Sequence, residues 1–76
     1  MINIYTMPNC PNCQEIKEFC LSNNIDYEKK DVTIDFRAKA KLIAKGLSHM
    51  PVVEINGKFI EYNQNIKNVI MELAND

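Results

Sequence analysis

Cys10 and Cys13 stand three residues apart, with Pro11 and Asn12 between them. A thiol pair at that spacing does one of two kinds of chemistry. It cycles between dithiol and disulfide, or it contributes half of a metal site. The metal reading needs two more ligands, and Cys20 and His49 are the soft donors that remain. Cys20 follows Cys13 by seven residues, about 10 Å along a helix at 1.5 Å per residue, too far for all three sulfurs to share one tetrahedral ion. Redox chemistry is the reading retained, with no metal site.

The surrounding elements decide which sulfur does what. Ile2 to Thr6 alternates apolar and polar residues, as a short strand does. Met7 to Pro11 then breaks the pattern with two prolines, and Pro11 fits the first turn of a helix, where its missing N–H is no loss. Ile16, Phe19, Cys20 and Leu21 recur at helical spacing to about Asn23. Cys10 therefore falls at the helix N-terminus, where unpaired N–H groups and the helix dipole favour negative charge and pull a thiol below its ordinary value of about 8.5. Cys13 falls one turn further in and is more buried. Cys10 is read as the attacking thiol and Cys13 as the resolving thiol that breaks the mixed disulfide.

Further along, Asp26 to Val32 reads as a second strand, and Thr33 or Asp35 as the cap of a helix over 36–45 that stops at Gly46. Phe36, Ala40, Ile43 and Ala44 form its apolar stripe, with the lysines on the other side. Pro51 opens a strand, Val52 to Ile55; Asn56-Gly57 is a strong hairpin signal, and Lys58 to Glu61 is the return strand. Asn63 caps a last helix whose face is Ile66, Val69, Ile70 and Leu73. The order β-α-β-α-β-β-α requires one parallel pair with a crossover and one antiparallel hairpin. That is an α/β, thioredoxin-like minimal fold: a four-stranded mixed sheet and three helices, with helices on both faces, in a single domain spanning 1–76.

Composition narrows the function classes. With 76 residues, 46% apolar and 25% charged, the chain suits one compact core. A formal net charge of −1 provides no field for nucleic acid or an anionic membrane. The N-terminus lacks a basic, then apolar, secretory pattern, and no run approaches the ~20 apolar residues of a membrane span. A cytoplasmic monomer is expected. Three cysteines are too few and too clustered for a disulfide framework.

The Cys10-Pro11-Asn12-Cys13 segment, its place between strand and helix, and the downstream Met50-Pro51-Val52-Val53 together resemble the glutaredoxin family over essentially the whole chain. The likeness is greatest to short glutaredoxin-like redoxins, which include electron donors of ribonucleotide reductase. The resemblance implies a dithiol reductant of protein disulfides, re-reduced by glutathione or by a flavoprotein of the thioredoxin-reductase type, with no tightly bound cofactor. It also implies that Pro51 is cis and faces the cysteine pair. Met50 would offer backbone hydrogen bonds to a bound peptide or glutathione, and Pro11, Asn12, Met50 and Pro51 would shape the thiol groove. A binding module, such as a glutathione-dependent iron–sulfur carrier, is the alternative; such carriers usually have serine at the second cysteine. Several positions depart from the family pattern. Asn12 replaces a tyrosine, Met7 stands where many members have a lysine, and Glu61-Tyr62-Asn63-Gln64-Asn65 replaces a glycine pair followed by an acidic residue.

The remaining residues divide between structural and functional readings. Cys20, on the apolar stripe, reads as a buried inert thiol, with a regulatory thiol as the alternative. His49 reads as solvent-facing at a loop end, with a proton carrier to Cys13 as the alternative. Lys17 reads as a solvated lysine, or as one that raises the potential near Cys10. Tyr5, Tyr27 and the four methionines read as core or groove lining.

Overall fold

Alternation along β1 (Ile2–Thr6) sends Ile2 and Ile4 to one face of the sheet and Tyr5 to the other, and the fold is built on that division. The computed structural model describes residues 2–74; Met1, one of the four methionines expected in core or groove, lies outside them. The elements are β1, α1 (Pro11–Ser22), β2 (Tyr27–Asp31), α2 (Phe36–Ala44), β3 (Val52–Ile55), β4 (Lys58–Glu61) and α3 (Ile66–Ala74). The sheet runs β2-β1-β3-β4, with β1 and β2 parallel and the other two pairs antiparallel. Ile16 and Cys20 of α1 and Ile66 and Ile70 of α3 bury against Ile2, Ile4, Val53 and Ile55. Ala38 and Leu42 of α2 bury against Tyr5 and Val52 on the opposite face. The thioredoxin-like architecture expected from the element order is the one observed.

Local chemistry sets the element ends. Asp35 caps α2 by accepting the Ala38 N–H at 3.1 Å, while Thr33 instead donates its N–H and hydroxyl to Asp31. Gly46, at φ +71°, ends α2: its N–H reaches the Ile43 carbonyl and the Leu47 N–H the Leu42 carbonyl. Asn24, at φ +56°, ends α1 in the same way, with the Ile25 N–H donating to the Cys20 carbonyl. Asn56 and Gly57, both at positive φ, make the β3–β4 turn.

Three readings need correction. The stripe Phe36, Ala40, Ile43 and Ala44 is the exposed side of α2, with Phe36 78% and Ile43 66% accessible. Ala38 and Leu42, on the other side, pack on Tyr5 and Val52, and that contact sets the face α2 turns to the sheet. Leu21 is also exposed, because α1 docks through Cys13, Ile16 and Cys20. Asn63 does not cap α3 directly. Its side chain accepts the Asn65 N–H at 2.8 Å, and the helix opens at the Asn65 carbonyl, which accepts from Val69. Among the described residues, no helix is long and apolar enough to cross a membrane.

Candidate active site

β1 delivers the chain to the site at Thr6, and Met7 to Asn9 turn it into α1. Asn9 takes φ +58°, a left-handed conformation that asparagine tolerates better than most residues. Cys10 follows in extended conformation as the N-cap of α1, with Pro11 at the first helical position. Its sulfur does what a capping oxygen usually does, accepting the Cys13 N–H at 3.1 Å. The first turn of α1 holds no acidic residue, so no side chain there opposes negative charge on that sulfur.

Cys10 and Cys13 are joined in a disulfide, their Cα atoms 5.2 Å apart. The two sulfurs differ in access: Cys13 is 1% exposed, whereas Cys10 is only partly buried. The Met50–Pro51 peptide is cis, and the Met50 carbonyl oxygen lies 3.9 Å from Cys10 Sγ. Pro51 is buried, while Pro11 and Asn12 sit exposed on the first turn of α1. The structure thus brings Cys10, Cys13 and Met50 together across 40 residues of sequence.

Cys10 opens onto a cleft of about 660 Å³, shared with Thr6, Gln14, Lys17, Lys29 and Asp31 among others. On the other side of Met7 lies a smaller apolar pocket, about 180 Å³, lined in part by Val32, Leu42, Leu47 and Met50. Asp31 is held below the usual carboxylate range by the Thr33 hydroxyl and N–H, with Lys29 and Lys17 adding to the effect. Gln14, Lys29 and Asp31 escaped the sequence reading as site residues. Of the three, only Asp31 left a local signal, since an Asp two residues before a Thr is a turn-forming pair.

The segment after β4 is tied to α1. Tyr62 donates its hydroxyl to Glu15 Oε1 at 2.9 Å, and Lys67 pairs with Glu15 Oε2 at 2.8 Å. The hydrogen bonds from Lys67 and Tyr62 pull Glu15 below its ordinary value, and donating to that carboxylate pushes Tyr62 up. On the α2 side of the sheet, Tyr5 donates to Glu54 at 2.6 Å and Asn3 to the same oxygen at 3.2 Å. Burial and that hydrogen bond push Tyr5 well up; Glu54 stays low, its own burial outweighed by the bonds from Tyr5 and Asn3.

Cys20 is a free, fully buried thiol, pushed up by burial. His49 is solvent-facing, with Nδ1 3.6 Å from Glu61 Oε2. Among the described residues, no cluster of three or more His, Cys, Asp or Glu side chains could hold a metal ion.

Comparisons with known proteins agree with this fold. Residues 2–60 match the family model described as Glutaredoxin. A relative from Clostridium pasteurianum, named an uncharacterized glutaredoxin-like 8.6 kDa protein in rubredoxin operon, is 36% identical over 61 residues. That match covers 79% of this chain and 81% of the relative. The structure of the thioredoxin-like protein BC3987 superposes with a TM-score of 0.81 at 35% identity, over 93% of this chain and 97% of that one. The glutaredoxin-like protein NrdH-redoxin from Escherichia coli, which has a thioredoxin-like activity profile, superposes with a TM-score of 0.81 at 26% identity. Here 91% of this chain and 92% of the other are covered.

Proposed function

The chain belongs to the glutaredoxin family, and from that premise we propose that it is a dithiol reductant of protein disulfides, with Cys10 attacking and Cys13 resolving. The observation that carries this reading is the unequal access of two bonded sulfurs. Cys10 caps α1 and opens onto the cleft, whereas Cys13 is buried behind it.

In the reduced protein, the Cys10 thiolate attacks one sulfur of the substrate disulfide. A Cys10–substrate bond forms, the substrate S–S bond breaks, and the departing substrate thiolate takes up a proton. Cys13 then loses its proton and attacks Cys10 Sγ. The internal disulfide forms and the second substrate thiol leaves. Two electrons have passed to the substrate, and the product is the oxidised state seen here. Pro11 and Asn12 flank the attacking sulfur, and the Met50 carbonyl, ahead of the buried Pro51, stands beside it. No resident cofactor enters these steps. The protein works as a monomer in the cytoplasm, and a ribonucleotide reductase disulfide is among the substrates this chemistry suits.

The reductant in this reading is a flavoprotein of the thioredoxin-reductase type rather than glutathione. The Glu61–Asn65 stretch supports it: where a glycine pair would let a tripeptide approach the backbone, Tyr62 fills space with a side chain bonded to Glu15. The thioredoxin-like activity profile of the Escherichia coli neighbour supports it as well. The test is NADPH consumption with a disulfide peptide, recycled either by thioredoxin reductase or by glutathione with glutathione reductase. Sustained turnover is expected in the first arm. Turnover in the second arm alone reassigns the reductant to glutathione, and failure in both overturns the enzymatic reading.

A further inference from the structure

The mechanism above uses the sulfur at the edge of the large cleft and leaves the cleft's charged wall without a role. Resting on that redox reading, we propose that Lys17 and Lys29 bind a carboxylate carried by the substrate polypeptide close to its reactive disulfide. The substrate class is thus a disulfide flanked by an acidic residue.

Three observations carry it. Cys10, Gln14 and Lys17 follow one another at four and three residues, which places them along one face of α1, and all three line the cleft. Lys29 and Asp31, two apart on β2, fall on a common face of that strand and close the cleft from the other side. The Asp31 carboxylate already accepts the N–H of Thr33 at 2.9 Å and its hydroxyl at 2.6 Å, and both lysines act on it. Lys17 from α1 and Lys29 from β2 thus face one cleft from its two sides. Among the described residues, neither forms an ion pair.

Two cations against one committed carboxylate leave the cleft positive on a chain whose net charge is −1. The local field beside Cys10 is opposite in sign to the whole molecule and selects an anion there. Lys17 is seven residues beyond Cys10, about 10 Å along the helix. An extended substrate advances about 3.3 Å per residue, so the preferred carboxylate lies about three residues from the attacked cysteine.

Three peptides test this, each closed by an internal disulfide and carrying Glu, Gln or Lys at the third residue from the attacked cysteine. Their reduction by the pre-reduced protein is timed in a single turnover, at low and at high salt. The expected order is Glu fastest and Lys slowest, spanning about tenfold at low salt and narrowing as salt is added. The double variant Lys17→Gln, Lys29→Gln should erase the order, while Lys58→Gln, which removes a charge from the β3–β4 hairpin, should keep it. Equal rates on the three peptides, or an order that survives in the double variant, overturns the inference and leaves the redox reading standing. No reduction of even the Gln peptide overturns both.

Discussion

Tyr62 and Glu15, 47 residues apart in sequence, are joined by a hydrogen bond of 2.9 Å that fastens the segment after β4 to the helix carrying the redox pair. Glu15 also holds Lys67, so one carboxylate links α1 to both ends of the approach to α3. The bond stands in the stretch where this chain departs from its family's glycine pair.

The Glu15 carboxyl should report this bond directly. Its folded value lies below the ordinary 4.5, first through Lys67 and then through Tyr62. A depressed folded value favours the fold above the unfolded pKa, and that contribution is lost as pH falls through the folded one. In Tyr62→Phe, the NMR titration of Glu15 should move up toward 4.5 without reaching it, because Lys67 remains. An unchanged titration contradicts the assigned bond.

On α2, the prediction separates the expected face from the observed one. Phe36→Ser should change stability by less than about 0.5 kcal/mol, since Phe36 is 78% exposed. Leu42→Ala should cost about 2–4 kcal/mol, because Leu42 is 2% exposed and packs on Tyr5 and Val52. Urea unfolding midpoints decide between them, and equal losses would return the core to the Phe36 stripe.

That helix shows where sequence patterning stops. Strand ends were legible because alternation, prolines and Asn56-Gly57 act within a few residues: β1, β3 and β4 match their expected ranges. The rotation of α2 was not. Its sequence has apolar residues on both sides, and the choice is made by packing on Tyr5 and Val52, partners from distant strands. The α3 start slipped because Asn63 and Asn65 are equally good caps by type, and backbone bonding decides between them.

The candidate site divides on the same line. Cys10, Pro11, Asn12 and Cys13 form one local motif whose place at the start of α1 was readable, whereas the capping bond from the Cys13 N–H to the Cys10 sulfur was not. Met50 and Pro51 could be placed only through resemblance, because their partner is 40 residues away. Lys29, Asp31 and the Tyr62–Glu15 bond involve elements that meet only in the folded sheet.

Cys20 should behave as core rather than as a second reactive centre. In the reduced native protein at neutral pH, iodoacetamide should label Cys10 first and reach Cys20 only after denaturation, as its burial and raised pKa require. Cys20→Ala should retain turnover and lower stability by about 1 kcal/mol. Rapid native labelling of Cys20, read by peptide mass, would show a thiol that opens to solvent.

The most direct test of the central claim is the intact mass of single-cysteine variants mixed with a disulfide peptide. Cys13→Ser keeps the attacker and lacks the resolver, so it should accumulate a stable mixed disulfide mapping to Cys10. Cys10→Ser should form none, since Cys13 is buried behind the cap of α1. A mixed disulfide on Cys13 in Cys10→Ser, at a rate matching that of the other variant, would contradict the assigned roles.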